Sequence, residues 1–409
     1  MRKLFILAAT LMFAAACSPD DGGTADPAKP IELTTRGAEK VSADNAFAFD
    51  FFRQTLATAP EADRANAFVS PLSLTMALGM LYNGTSPEAA DEMADALGVA
   101  DFTPAEINAH YQALYQALLK ADPRTALAIA NSIWAREGFA VKPAFYDINR
   151  QYYGAEVRSL PFDAAAVAAI NKWCADNTAG RIPTILDGAI SADVMMYLIN
   201  AVYFKGQWKF KFDKSKTRDA DFNLADGSTK TVPMMHQTDI KVPCYWDETV
   251  NCIDLPYGNG AFSMMLMMPS RYNGSLDDLI ASLNGETYGR IVAGLHEVSN
   301  YTVVMPRWKQ ECEFPLNDAV KELGIRQIFG RGSLTGITDD PRLAVSDIKQ
   351  KTFVEVNEEG TEAAAVTIIG FEVTSGPPAF IADRPFLDLI RERSTGAILF
   401  MGRMDEPQM

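Results

Sequence analysis

The sequence predicts an α+β fold, on three observations. Helical periodicity crowds the first half of the chain, strand-like runs crowd the second, and neither an internal repeat nor an interior linker separates them. Residues 45–59, NAFAFDFFRQTLATA, space their apolar side chains at three to four, and Pro60 ends that helix. Phe68 and Val69 read as a short strand, after which Ser70 caps a helix with Pro71 in its first turn, running to about residue 82. Residues 88–97 form a helix ending at Gly98, residues 105–120 another, and residues 164–177 an amphipathic one. Residues 127–134 read as a strand. Residues 195–204 are a continuous apolar run, which predicts a strand buried on both faces, and 262–268 and 301–305 read likewise. Residues 316–323 are helical and stop at Gly324. Residues 353–356 read as a strand, and 386–390 and 397–401 are closing strands joined by a turn at 393–396.

Composition narrows the function. With 409 residues, 48% of them apolar, the chain can bury a large core. A net charge of −15 disfavours a nucleic-acid or polyanion binder, though it leaves room for a local basic patch. His110, His236 and His296 lie far apart without ligand-like spacing, so no metal site is expected. The cysteines form no CxxC; free buried thiols are expected, with one bridge left open. No GxSxG, HExxH, GxxxxGK or GxGxxG occurs, and no carboxylate pair stands in an apolar setting, so neither an enzyme nor a cofactor is expected.

The N-terminus carries an address. Arg2 and Lys3 precede an apolar stretch, 4–16, too short for a permanent membrane span. It ends Ala14-Ala15-Ala16-Cys17, which resembles the cleavage box of bacterial lipoproteins, with Ala14 where leucine is usual. That resemblance implies a signal peptide at 1–16 and acylation of Cys17; plain secretion after Ala16 is the alternative. Residues 17–38, rich in Pro, Gly, Asp and Thr, read as a flexible tether. The acidic residues after Cys17 resemble an export tag. The expected location is the outer membrane at the cell surface, or otherwise the periplasm or the medium.

Several segments of the body resemble the serpin family, in order and in register: NAFVSPLS at 66–73, NAVYFKGQW at 200–208, FVEVNEEGTEAAA at 353–365, DRPF at 383–386 and LFMGR at 399–403. The resemblance covers about residues 40–407, within one domain at 39–409, and implies a serpin fold of three β-sheets and eight or nine helices, with an exposed reactive loop at about 360–377. It implies a monomeric serine protease inhibitor that acts as a suicide substrate; the alternative is a non-inhibitory member that serves as a carrier or binding protein. The implied hinge is Glu358, Glu359, Gly360, Thr361, Glu362, Ala363, Ala364 and Ala365, and the implied sheet-opening region is Ser70, Ser73, Asn200, Trp208, Arg307 and Gln350. Gln350 stands where the family often has histidine; it can bridge strands but cannot titrate. The resemblance also implies an ion pair between Glu358 and Arg307 that holds the sheet closed.

The loop suits insertion as a strand. One alternate set, Thr361, Ala363, Ala365, Thr367, Ile369, Phe371 and Val373, contains no charge and no proline, while both glutamates fall on the other. Small residues come first and β-branched ones follow. Burying Ile369, Phe371 and Val373 contributes about 1.5–3 kcal/mol each, and each new ladder hydrogen bond about 0.5–1.5 kcal/mol. The native state must then be metastable. Family spacing puts the scissile bond at Thr374–Ser375, with Val373–Thr374 as runner-up. A small uncharged residue there suits a shallow apolar pocket, so elastase-type serine proteases are the expected partners, with cysteine proteases as further candidates.

Overall fold

The computed structural model describes residues 27–271, 274–361 and 378–409. Its helices are α1 (Thr35–Thr58), α2 (Glu61–Arg64), α3 (Pro71–Tyr82), α4 (Pro87–Ala96), α5 (Pro104–Leu118), α6 (Pro143–Tyr153), α7 (Ala164–Asn177), α8 (Leu276–Ser282), α9 (Gly285–Gly294) and α10 (Asn317–Glu322). Its strands are β1 (Asn66–Val69), β2 (Ala126–Arg136), β3 (Glu156–Leu160), β4 (Met196–Lys205), β5 (Arg218–Asn223), β6 (Thr229–Trp246), β7 (Val250–Pro256), β8 (Phe262–Pro269), β9 (His296–Pro306), β10 (Trp308–Pro315), β11 (Lys349–Asn357), β12 (Gly360–Thr361), β13 (Ala379–Ile381), β14 (Phe386–Glu392) and β15 (Ile398–Met404). The short α2 and α10 take the described helices past the eight or nine that the family resemblance implied.

Local signals account for the helix starts. Ser70, Ser86 and Thr103 each accept a hydrogen bond from the backbone three residues on, each with proline next in line, and Thr103 completes a capping box with Glu106. Helix α1 begins ten residues before the apolar run that announced it, on the Thr34 cap, and Lys40 and Val41 of the added turns are buried. The ordered body thus reaches into the segment read as tether: residues 35–38 are helical, Ala28 N–H donates to Asn259 O at 3.3 Å, and Ile31 N–H to Ser394 Oγ at 2.9 Å.

The described strands form three sheets. The largest has the order β1-β15-β14-β8-β7-β6-β9-β13, with β5 on β6. Strand β8 is buried throughout, as its apolar run predicts. Strand β14 buries Asp388 opposite Gly402, where a side chain would overlap the carboxylate, and neither carboxylate oxygen has a hydrogen-bond partner among the described residues. The other two sheets have three strands each, β3-β2-β4 and β10-β11-β12.

Strand β4 corrects the expectation of burial on both faces: Met196, Tyr197, Leu198, Asn200 and Tyr203 are only half-buried. Ile199 and Ala201 join a small core with Trp134, Ile170 and Trp173 under α7. Among the described residues no strand pairs with its edge toward β11, and a cavity of about 150 Å³ lies there, lined by Leu74 and Leu78 of α3, Cys174 of α7, Ile182, Leu198 and Ile348. Cys174, Cys244, Cys252 and Cys312 are free and buried, so the one bridge left open does not form among them. No metal-binding cluster occurs among the described residues.

Candidate functional site

Past the end of β11 the chain turns at Glu358 and Glu359 and comes back as β12, pairing Asn357 with Gly360 and Val356 with Thr361. Gly360 makes the reversal possible. Its φ is +148°, a conformation side chains rarely adopt, and a Cβ there would overlap the Gly206 carbonyl oxygen. On the other side Thr361 N–H donates to Gly206 O at 2.8 Å, just beyond β4, and Gln207 forms a bridge with Gly360. Residues 360 and 361 therefore sit at the mouth of the gap between β4 and β11, held from both sides. Thr361 is buried at 4% exposure, and its hydroxyl lies 2.8 Å from the buried Tyr257 OH.

Trp208 closes this end. Its indole N–H donates to Asn357 O at 2.8 Å, its backbone N–H to Glu359 O at 2.9 Å, and its ring stacks on Tyr257 at 4.5 Å between centroids. Glu358 is 1% exposed and carries the ion pair that the resemblance implied: Arg307 Nε donates to both carboxylate oxygens, at 2.8 and 2.9 Å. Thr217 Oγ1 adds a hydrogen bond to the same carboxylate, and Phe212 N–H donates to the Glu358 carbonyl at 3.0 Å. A buried carboxylate needs such saturation. Glu359 points outward, with Lys211 Nζ at 2.7 Å and Lys214 Nζ at 3.1 Å; hydrogen bonds from Lys211 and then Lys214 lower its pKa.

The residues grouped as one sheet-opening region divide into two places. Trp208 and Arg307 belong to the turn just described. Ser70, Ser73 and Gln350 lie further down, where the Gln350 amide spans the α3 start in both directions: Ser70 N–H donates to Oε1 at 2.8 Å and Nε2 donates to Ser70 O at 2.9 Å. Ser70 Oγ donates to Leu399 O and accepts from Ser73 N–H. Asn200 faces the same cavity from β4 but hydrogen-bonds to Asn131 Oδ1 at 2.6 Å rather than to Gln350. Gln350 ties β11 to α3 and leaves the edge of β4 untied.

Thr217, Lys211, Lys214 and Tyr257 were not singled out from the sequence. Three of them stand on the excursion between β4 and β5, whose alternation of lysine and aromatic residues at 208–216 was the available signal. Glu362, Ala363, Ala364, Ala365, Val373, Thr374 and Ser375 lie outside the described residues, as does Cys17.

The comparisons agree with this architecture. The sequence matches the serpin family, described as serine protease inhibitors, over residues 42–407. It is 34% identical over 387 residues to a leukocyte elastase inhibitor of Sus scrofa, covering 90% of this chain and 100% of that one. It is 30% identical over 400 residues to an uncharacterized serpin-like protein of Thermococcus kodakarensis, covering 95% and 91%. The thermophilic serpin tengpin in its native state superposes with a TM-score of 0.81 at 26% identity, covering 95% of this chain and 98% of that one. Thyroxine-binding globulin with thyroxine gives 0.81 at 27% identity, covering 91% and 100%. The chain belongs to the serpin family.

Proposed function

We propose that the chain is a suicide-substrate inhibitor of elastase-type serine proteases that acts as a monomer. The observation that carries this reading is the position of Gly360 and Thr361, paired to the end of β11 at the mouth of a gap along which β4 and the rest of β11 have no strand partner among the described residues. The residues that follow alternate as an inserting strand must. The protease serine attacks the carbonyl carbon of Thr374; the bond to Ser375 breaks, and its nitrogen leaves protonated. The loop N-terminal to the cut, now an ester of the enzyme, enters the gap before water can cleave that ester. Relatives named leukocyte elastase inhibitor, at 34% identity in pig and 33% in human, support the protease class.

Incubation with elastase, followed by a denaturing gel, tests the reading. A band near the summed mass is expected; a clipped band alone means a substrate, and an uncut chain favours the carrier reading that thyroxine-binding globulin exemplifies. The released C-terminal peptide should begin at Ser375, or at Thr374 for the runner-up bond. Thr374→Arg should exchange the preference for elastase for one for trypsin, by about two orders of magnitude in inhibition rate. Unchanged rates would remove Thr374 from the primary pocket.

The proposed address is the outer membrane, by acylation of Cys17. Cells given labelled palmitate should incorporate it into the parent protein and not into Cys17→Ser. Equal labelling would remove the anchor.

A further inference from the structure

The chain carries a net charge of −15, yet residues 205–218 hold Lys205, Lys209, Lys211, Lys214, Lys216 and Arg218 against the single acid Asp213. The structure makes this stretch an outward loop. Trp208 and Phe212 within it are buried with their rings 6.2 Å apart, and Gln237 Nε2 donates to the carbonyls of both Phe210 and Lys211 at 3.0 Å. Lys209, Phe210, Lys211 and Lys216 project into solvent, Phe210 at 49% exposure. Asp213, whose carboxylate accepts from the Ser215 N–H and hydroxyl, offsets one of these charges, and Glu359 pairs with Lys211 and Lys214, which leaves Lys209 and Lys216 in excess.

The N-terminal segment arrives beside this loop. Pro27, Ala28, Lys29 and Pro30 share with Lys209 a cavity of about 550 Å³, and Ala28 and Ile31 are hydrogen-bonded to the body there. Cys17 stands ten residues before Pro27, so a chain held at Cys17 keeps Pro27 within about 35 Å of its anchor.

We propose that the loop bearing Lys209, Phe210, Lys211, Lys214 and Lys216 is a docking surface for an anionic lipid bilayer. An exposed aromatic ring among lysines is the chemistry of the membrane interface: the ring enters the headgroup layer while the ammonium groups meet the phosphates. The acidic remainder of the molecule is repelled by the same surface, which orients the approach. In this orientation the hinge turn lies next to the bilayer, because Lys211 and Lys214 also hold Glu359. The argument that an anchor delivers the loop to a membrane rests on the Cys17 reading; the affinity of the loop does not.

The test therefore uses the full chain carrying Cys17→Ser, sedimented with vesicles of phosphatidylcholine alone and of equal parts phosphatidylcholine and phosphatidylglycerol. Binding should be stronger to the anionic vesicles and should fall with added salt. Lys209→Ser with Lys216→Ser, which leaves both lysines on Glu359 in place, should weaken it by about 25-fold, fivefold for each lysine. Phe210→Ala should weaken it further, and none of these changes should alter the inhibition rate in solution. Equal binding to both vesicle types, or an undiminished double variant, overturns the proposal. So does binding to soluble dextran sulfate without binding to vesicles, which would make the loop a polyanion site. Failure of palmitate labelling at Cys17 would leave the result intact and remove only the anchor.

Discussion

Thr361→Arg should convert the proposed inhibitor of elastase-type proteases into a substrate. Thr361 is the first residue of the proposed inserting strand that the structure describes, and it is enclosed on every side: Val356 pairs with it, Gly206 O accepts its N–H, and its hydroxyl meets Tyr257 OH. A guanidinium at this position would be buried and would displace the contact with Tyr257. An unpaired charge buried in this way costs about 3–5 kcal/mol. That cost expels residue 361 from its seat between Val356 and Gly206, so the strand no longer starts at the mouth of the gap; insertion slows, and the ester to the enzyme then hydrolyses first. Titration against elastase should show the stoichiometry rising steeply, with the clipped chain replacing the covalent band. Thr361→Ser keeps the hydroxyl and should remain an inhibitor. Ala363→Arg, on the same inward set, should act in the same direction. A covalent band at unchanged stoichiometry in Thr361→Arg would mean that this residue is not where insertion begins.

Glu358→Lys should make the protein polymerise on mild heating, at temperatures where the parent stays monomeric on a native gel. The substitution sets an ammonium against Arg307, itself 9% exposed, and removes the acceptor for Thr217 as well. Breaking a buried pair from one side costs about 3–5 kcal/mol, since the remaining charge keeps its desolvation without its partner. The loss falls on the turn that fixes where β12 leaves β11, and an opened edge there accepts a strand from another molecule. Glu358→Gln, which keeps one acceptor oxygen and drops the charge, should lie between the two. Unchanged monomer after heating would show that this pair is not what holds the sheet closed.

The elements read well from sequence are those whose ends carry local chemistry. The boundaries of α3 and α7 follow from Ser70-Pro71 and Asp163, and the stop of α10 from Gly324. The start of α1 was missed because residues 35–44 are mostly polar and owe their helix to Thr34 and to packing of Lys40 and Val41. Strand β6 was missed for the opposite reason. It is long, but prolines 233 and 243, the register shifts around Ile240 and a positive φ at Asp239 break its alternation. At the site, Glu358, Gly360, Trp208 and Arg307 were legible because the motif fixes their spacing. Thr217, Lys211 and Lys214 were not, because they reach the turn from a separate excursion of the chain. The half-burial of β4 was also illegible: an apolar run records what a strand touches in any of its states, and its edge toward β11 is open here.

The unpartnered carboxylate of Asp388 makes the fold itself a proton acceptor. Complete burial lifts its pKa from the ordinary carboxylate range to about 7. The folded state therefore holds a proton that the unfolded chain releases above its usual value near 3.8. The stability linked to this proton is fully present at low pH, declines as pH rises past 3.8, and is gone once pH exceeds 7. The difference between the two limits is about 4 kcal/mol. Lowering the pH from 8 to 5 should thus raise the thermal midpoint, against the usual acid trend of paired carboxylates. Asp388→Asn should raise the midpoint at pH 8 and flatten the profile; a midpoint that still climbs by the same amount on acidification would assign the proton to another group. On this account the proposed inhibitor is less secure in neutral and alkaline surroundings than in mild acid, and its buried carboxylate sets where that loss is complete.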